Sequence, residues 1–146
     1  MRKVLIGFAS VVVAMAAVSG HSARAQTAKS APAQDCASAV TQARMNECAY
    51  EDFLAATAGY AASYKAISDK FAGRQRDQFR RTQKLWIQYR TAACNLESSG
   101  VQGGSAQGMV KSRCEARMTR VRTAELEKWN SCQEGDLSCP RFGTRF

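Results

Sequence analysis

The chain is almost without histidine: it has one, His21, near its N-terminus. A protein without histidine lacks the usual general base of nucleophilic relays and the commonest metal ligand. The sequence also has no C-x-x-C pair, which argues against a thioredoxin-like redox site and a zinc ribbon. No segment alternates apolar and polar residues as a strand does. We therefore expect a helical protein that is not an enzyme and uses no metal or other cofactor.

The N-terminal segment has the features of a secretory signal peptide. Arg2 and Lys3 precede an apolar run over residues 4–18, and a small-residue cleavage site ends at Ala25. The run is shorter than the roughly 20 apolar residues that a membrane-spanning helix needs. The first cysteine after it is Cys36, too far away for a lipid-attachment site. We predict a periplasmic or secreted protein with no transmembrane anchor.

Cleavage at this site sets the predicted domain organisation. Residues 1–25 form the signal peptide, residues 26–35 a flexible leader rich in small and polar residues, and residues 36–146 a single domain. The formal charge falls from +9 to +6, because Arg2, Lys3 and Arg24 leave with the signal peptide. His21 leaves with it too.

Three segments have apolar residues in steps of three and four, the spacing of one helix face. The predicted helices run from just past Cys48 to a C-capping Gly73, from Arg74 to Glu97, and from an N-capping Ser105 to Asn130. We predict an all-α fold, an antiparallel three-helix arrangement cross-linked by disulfides. The apolar positions are Tyr50, Leu54, Thr57, Ala61, Tyr64 and Phe71, with Phe53 and Ile67 beside them; Phe79, Thr82, Trp86, Tyr89, Ala93 and Leu96; and Val110, Cys114, Met118, Val121, Leu126 and Trp129.

An even number of cysteines in an exported chain predicts disulfides. Six cysteines allow many pairings, and the nearest-neighbour pairing is our hypothesis because each pair then flanks a turn or a helix end. It joins Cys36 to Cys48, Cys94 to Cys114, and Cys132 to Cys139, the last closing a C-terminal tail.

The second helix carries an aromatic and arginine cluster. Trp86 and Tyr89 fall on its apolar stripe, so we interpret both as core residues. Arg90 lies next to the stripe and is expected to be partly buried against an acidic or carbonyl partner. The competing interpretation is a solvated arginine.

A pair of glutamates on the first helix and a run of cations on the second can each be read either as an ordinary solvated helix surface or as a functional site. Glu47 and Glu51 lie one helical turn apart; a carboxylate pair can serve catalysis, but at this spacing it is ordinarily a salt-bridged helix face. Cations crowd the second helix, and such a run is either solvated or the binding face of an anionic partner. Nucleic acid is disfavoured as that partner, because the basic helices have no interleaved exposed aromatics. The cations are Arg74, Arg76, Arg80, Arg81 and Lys84, joined on the third helix by Lys111, Arg113, Arg117 and Arg120.

Beyond these physical patterns, a set of spaced motifs runs from Cys36 to Leu126. It comprises Cys36, Thr41, Met45-Asn46-x-Cys48, Tyr64, Gln83-x-x-Trp86-Ile87-x-Tyr89-Arg90-x-x-x-Cys94, Gly103-Gly104-Ser105, Cys114, Thr119-x-x-Arg122 and Leu126. In these motifs the chain resembles the LprI-type lysozyme-inhibitor family. The resemblance implies a small exported helical domain that binds lysozyme or another cell-wall hydrolase.

The chain departs from the family pattern at two polar sites. Thr91 stands where the family usually has an acidic residue, and Thr57 with Tyr60-Ala61 replaces an Asp and a Leu-Asn pair. Any carboxylate partner of Arg90 would have to come from elsewhere, with Glu51 and Glu115 as candidates.

Two binding functions follow as hypotheses. In the first, the rigid loop between the second and third helices occludes a hydrolase through Glu97, Ser98, Ser99, Gly103, Gly104 and Ser105. The tail loop with Glu134 and Asp136 is a second acidic surface, and a loop that only connects helices is the plain alternative. In the second hypothesis, the protein is a basic cell-envelope module that binds anionic polymer or lipid headgroups.

Overall fold

The computed structural model describes residues 33–133 and 135–142. The predicted signal peptide, most of the predicted leader and Glu134 lie outside these residues. A 3₁₀-helix over Ala33–Ser38 comes first, followed by three long helices: α1 (Gln42–Ser68), α2 (Gly73–Glu97) and α3 (Gln107–Asn130). A 3₁₀ turn, Ser99–Val101, follows α2. No strand occurs in the described residues, and the predicted all-α class is confirmed.

Side-chain contacts establish the order in which the helices meet. Between α1 and α2, Tyr60 contacts Gln83, while the later Tyr64 stacks on the earlier Phe79. Between α1 and α3, contacts advance together along both helices, from the pair Asn46 and Met109 to the pair Ser63 and Glu127. The chain therefore runs in opposite directions in α1 and α2 and in the same direction in α1 and α3.

The most extensive packing is between α1 and α3. Small residues are buried on both helices, Ala49 and Ala56 on α1 and Ser112 and Ala116 on α3. Small side chains allow helix axes to come close together, because little volume separates the two backbones. The apolar stripe predicted for α1 is wrong by one residue for this reason: it follows the bulky Tyr50 and Leu54, which are about half exposed.

A core of larger side chains fills the other end of the bundle. Tyr60, Ile67, Phe71, Phe79 and Leu126 are buried there. Ring contacts continue from Trp86 through Tyr60, Tyr64, Phe79 and Phe71 to Phe142, with centroid separations of 5.0–6.2 Å. Aromatic pairs at such distances contribute about 1 kcal/mol each beyond the area they bury.

The first helix begins and ends earlier than predicted. The side chain of Thr41 caps its N-terminus by accepting from the Arg44 N–H at 3.2 Å, so α1 starts before Cys48. It ends at Ser68, and Gly73 is the first residue of α2 and not a C-cap. Gly73 has a φ of +47°, a conformation that glycine adopts without steric penalty, so it turns the chain into α2.

The three predicted disulfides are confirmed: Cys36–Cys48, Cys94–Cys114 and Cys132–Cys139. They tie the N-terminal 3₁₀-helix to α1, link α2 to α3, and close a loop in the C-terminal tail. Cys94 and Cys114 are 0% and 1% exposed, so the bridge between α2 and α3 is part of the core. Among the described helices, none combines the length and the apolar character needed to cross a membrane.

Candidate functional site

The loop between α2 and α3 has a defined conformation held by backbone and side-chain hydrogen bonds. Gly103 has a φ of +75°, and its N–H donates to Oε1 of Gln107 at 2.8 Å. The Gly104 N–H donates to the Val101 carbonyl at 3.0 Å. A Cβ on Gly104 would lie 3.2 Å from the same carbonyl oxygen, so a larger residue would force the turn to shift. The double glycine is therefore required by the shape of the loop.

The end of this loop is capped from another helix. Asn46 of α1 accepts at Oδ1 from the Met109 N–H at 3.1 Å and donates from Nδ2 to the Ser105 carbonyl at 2.9 Å. Met109 is the third residue of α3, where an N-cap side chain normally satisfies a free backbone N–H. The prediction that Ser105 caps α3 is wrong, because the cap position falls on Ala106 and Asn46 supplies the missing acceptor.

Two further links fix the base of the loop. The buried Cys94–Cys114 bridge joins the helices on either side of it. Nη2 of Arg117 donates to the Glu97 carboxylate at 2.7 Å. Of the residues predicted to bind a partner, Ser98 is 1% exposed and hydrogen-bonds to the Asn95 carbonyl, so its side chain does not reach the surface. The others are exposed: Glu97, Ser99, Gly103, Gly104 and Ser105.

Below the loop, Arg90 lies partly buried between aromatic rings. Its Nη1 donates to the hydroxyl of Thr119 at 2.9 Å, and its guanidinium lies 5.0 Å from the Phe53 ring and 5.3 Å from the Trp86 ring. The prediction of partial burial is confirmed. The expected acidic or carbonyl partner is wrong: Arg90 contacts a hydroxyl and two ring faces, and the candidate Glu51 pairs with Arg44.

Gln83 and Arg122 form a second buried polar contact between α2 and α3. Nε of Arg122 donates to Oε1 of Gln83 at 3.0 Å, and the Tyr60 hydroxyl donates to the same oxygen at 3.4 Å. Arg122 also pairs with Glu125 and lies over the Trp129 ring. Burial raises the pKa of Tyr60 above its usual 10.0, against the opposing charges of Arg122 and Arg90.

These contacts leave a surplus of buried donors. Nε of Arg90, Nη2 of Arg122 and Nε2 of Gln83 have no partner among the described residues, and the buried Thr57 hydroxyl has none either. Thr57 lies on α1 between Phe53, which contacts Arg90, and Tyr60, which contacts Gln83. Thr57, which departs from the family pattern, therefore shares a helix face with residues that contact Arg90 and Gln83, and one nitrogen of each of Arg90 and Arg122 has no acceptor.

Tyr89 is the exception within the aromatic and arginine cluster. Trp86 stacks on Tyr60 at 5.3 Å, as expected of a core residue, but Tyr89 is 65% exposed, and its interpretation as core is wrong. The buried line of α2 follows Phe79, Gln83 and Cys94. A prediction based on apolar residues alone leaves out the buried Gln83, and the buried face of α2 therefore differs from the predicted stripe that includes Tyr89.

The five cations of the basic face on α2 are all exposed, and Arg76 also donates from Nε to the Phe71 carbonyl at 3.1 Å. On α3, Arg117 and Arg120 are neutralised by Glu97 and Asp52. On α1, Glu47 and Glu51 both pair with Arg44, which matches the salt-bridge interpretation of that carboxylate pair. Cys36 and Cys48 lie close to Glu51, but a disulfide offers no thiolate, so one carboxylate remains and the group does not fit a metal ion.

Three residues that the sequence singled out make contacts that it did not predict. Asn46, Gln83 and Phe53 all contact a neighbouring helix. For Gln83, the available signals were its place in a family motif and its position as a polar residue on an apolar helix face. Asn46 lies in the motif Met45-Asn46-x-Cys48, but the motif does not indicate its contact, because its acceptor serves a backbone N–H 63 residues further along the chain.

Comparisons with known proteins agree with this arrangement. Residues 33–126 match the family model described as "Lysozyme inhibitor LprI". An uncharacterized protein of Rhizobium meliloti (strain 1021) is 35% identical over 111 residues, which cover 66% of this chain and 79% of that protein. No solved structure gives a significant match. The matched region contains the Asn46 cap, the disulfide-linked loop and the arginine contacts of α2 and α3, and the chain belongs to the LprI lysozyme-inhibitor family.

Proposed function

We propose that the protein is an exported inhibitor that binds a lysozyme-type cell-wall hydrolase through the loop between α2 and α3. The observation that carries this proposal is the fixation of the loop by links to all three helices. A disulfide and an ion pair close its base, and Asn46 of α1 holds its far end. A loop that is ordered before binding loses less conformational entropy on binding, which favours affinity.

The surface of the loop suits entry into a cleft. Residues 98–105 contain no charged side chain and are mostly small, and the glycines leave the backbone accessible. Leu96, which is 76% exposed, lies at the edge of the loop and offers an apolar contact. The centre of a protein interface is more apolar than its rim and is depleted in charged residues, which this loop with Leu96 matches.

The lack of charge on the loop makes it a better contact surface for a basic hydrolase than the cationic remainder of the protein. Common animal lysozymes are basic, and the predicted mature chain carries a formal charge of +6. Two cationic proteins repel each other at long range, and this repulsion weakens as salt is added. Contact through an uncharged loop avoids placing the arginines of α2 against a basic partner.

The test is a titration of the oxidised protein, residues 26–146, into lysozyme that is lysing bacterial cell walls, at low and at physiological salt. We expect saturable inhibition that persists or strengthens at physiological salt. The variant Gly100→Arg enlarges the loop where a Cβ meets no atom within 4 Å, so it should fold normally and inhibit at least about tenfold less. Gly59→Arg adds the same side chain to an equally open site on α1 and is the control.

The outcome separates this function from that of a basic envelope module. Inhibition that Gly100→Arg and Gly59→Arg affect equally would rule out the loop as the contact. If the protein inhibits at neither salt concentration but binds anionic polymer with a steep salt dependence, the envelope function replaces the inhibitor function.

A further inference from the structure

A cleft of about 470 Å³ lies between α1 and α2 on the side of the basic face. Its lining includes Tyr60 and Tyr64 from α1 and Gln83 and Ile87 from α2. Clefts that bind small molecules usually have volumes of roughly 300–1,000 Å³ and are mostly apolar with a few polar groups. This cleft has that size and composition.

The wall of the cleft is rigid and aromatic. Tyr60 stacks on Trp86, and Tyr64 stacks on Phe79, both with centroids 5.3 Å apart. Tyr60 is further held by its hydroxyl contact with Gln83, whose side chain is almost completely buried. Because Tyr60 itself is only 8% exposed, the preformed apolar surface open to a ligand comes mainly from Tyr64 and Ile87.

Two cations border this apolar wall. Arg80 and Lys84 line the cleft and lie one helical turn apart on α2. Within the described part of the chain, neither has a hydrogen-bond or ion-pair partner. Five other cations do pair with carboxylates: Arg44, Lys65, Arg117, Arg120 and Arg122. The charges at the edge of the cleft are therefore free to bind an anion.

We propose that this cleft binds a single-chain anionic amphiphile. The carboxylate or phosphate head contacts Arg80 and Lys84, and the chain lies along Tyr60, Tyr64 and Ile87. Charge-assisted hydrogen bonds to arginine and lysine are roughly twice as strong as neutral ones, and the apolar wall adds about 25 cal/mol for each Å² of chain that it covers. A neutral apolar ligand would leave the cations unused, and a fully hydrated polyanion would leave the wall unused.

The experiment measures binding of monomeric laurate to the oxidised protein by titration calorimetry. Dodecyltrimethylammonium and dodecyl maltoside, which have the same chain length, test the head group. We expect one molecule of laurate per protein and at least about tenfold weaker binding of the cationic and neutral amphiphiles. Equal binding of all three would overturn the proposal, because the cations would then have no part.

Two double variants locate the site. Arg80→Gln with Lys84→Gln should weaken laurate binding at least about tenfold. Arg74→Gln with Arg81→Gln removes the same charge from exposed positions of the same helix outside the cleft lining and should leave binding unchanged. If both double variants lose the same amount of laurate affinity, laurate is attracted to the basic face as a whole, and the proposed binding site in the cleft is refuted. Ile87→Ser, which keeps both cations, should also weaken binding, and an unchanged affinity would refute the apolar half of the site.

The ligand could come from a free fatty acid or from a membrane lipid, and vesicles distinguish these sources. A free fatty acid as the source predicts binding to laurate but not to vesicles of anionic phospholipid. A membrane source predicts vesicle binding that the Arg80 and Lys84 double variant abolishes and the Arg74 and Arg81 variant does not. Vesicle binding that both variants reduce equally would overturn the proposal. The cleft variants leave the loop of residues 98–105 intact, so lysozyme inhibition is an independent result.

Discussion

Replacing Asn46 by alanine tests whether a side chain of α1 determines where α3 begins. The change removes the acceptor of the Met109 N–H and the donor to the Ser105 carbonyl. Loss of an N-cap typically lowers the free energy of unfolding by about 1 kcal/mol, and loss of a second hydrogen bond by about 1 kcal/mol more. We expect a total loss of about 2 kcal/mol, which corresponds to a fall in Tm of about 8 °C for a domain of this size.

Urea unfolding followed by circular dichroism, with the disulfides intact, measures this loss. Asn95 is exposed on α2 and supplies a matched control, because Asn95→Ala removes the same side chain without these contacts and slightly favours helix. Asn46→Asp keeps the acceptor, loses the donor and adds a negative charge near the N-terminus of α3, so it should lose about half as much. If Asn46→Ala and Asn95→Ala differ by less than about 0.5 kcal/mol, Asn46 does not cap α3.

Three further outcomes are expected. Trp86→Ala should lower the free energy of unfolding by about 3 kcal/mol, because Trp86 stacks on Tyr60 and Arg90. Tyr89→Ala should change it by less than about 0.5 kcal/mol, because Tyr89 is exposed. If urea unfolding ranks the two variants the other way, the assignment of the buried face of α2 is wrong. Thr57→Asp should raise the free energy of unfolding by about 1 kcal/mol by giving the surplus donors an acceptor. These donors would lower the pKa of the new carboxylate in the folded protein. The added stability should therefore be present above the unfolded-state pKa of about 3.9 and be lost as the pH falls through the lower folded-state pKa. If stability does not rise at neutral pH, the side chain at position 57 does not reach the donors. Stepwise reduction and alkylation followed by mass spectrometry should label Cys94 and Cys114 last, because both are buried, and early labelling of this pair would show that the bridge opens readily.

The sequence predicted the elements of the fold better than their faces. The bounds of α2, the end of α3 and all three disulfides follow from helical spacing and from cysteines placed beside turns. The faces were less predictable, because counting bulky apolar residues overlooks buried alanines such as Ala49 and a buried glutamine such as Gln83. On α2 this moved the predicted stripe onto Tyr89, and on α1 onto Tyr50.

The site was predicted only in part. Partial burial of Arg90 followed from its position beside an apolar stripe. Its contact with Thr119, 29 residues away, and the Asn46 cap depend on how separate helices pack, which spacing within one helix does not encode. The cleft beside Arg80 and Lys84 likewise needs both α1 and α2 in place, so the basic run alone could not separate these two cations from Arg74 and Arg81.

The parallel pairing of α1 with α3 has a consequence for how the chain folds. Its contacts join residues about 60 positions apart, such as Asn46 and Met109, whereas α2 and α3 are neighbours in sequence. The Cys94–Cys114 bridge spans 20 residues, and a path through it runs from Asn46 to Cys94 and back from Cys114 to Met109, which shortens the separation from 63 residues to about 54. Closure entropy depends only on the logarithm of length, so this shortening favours docking of α1 by only about 0.1 kcal/mol. The α2–α3 hairpin can therefore oxidise as a local unit, and the later docking of α1 onto α3 is expected to set the folding rate.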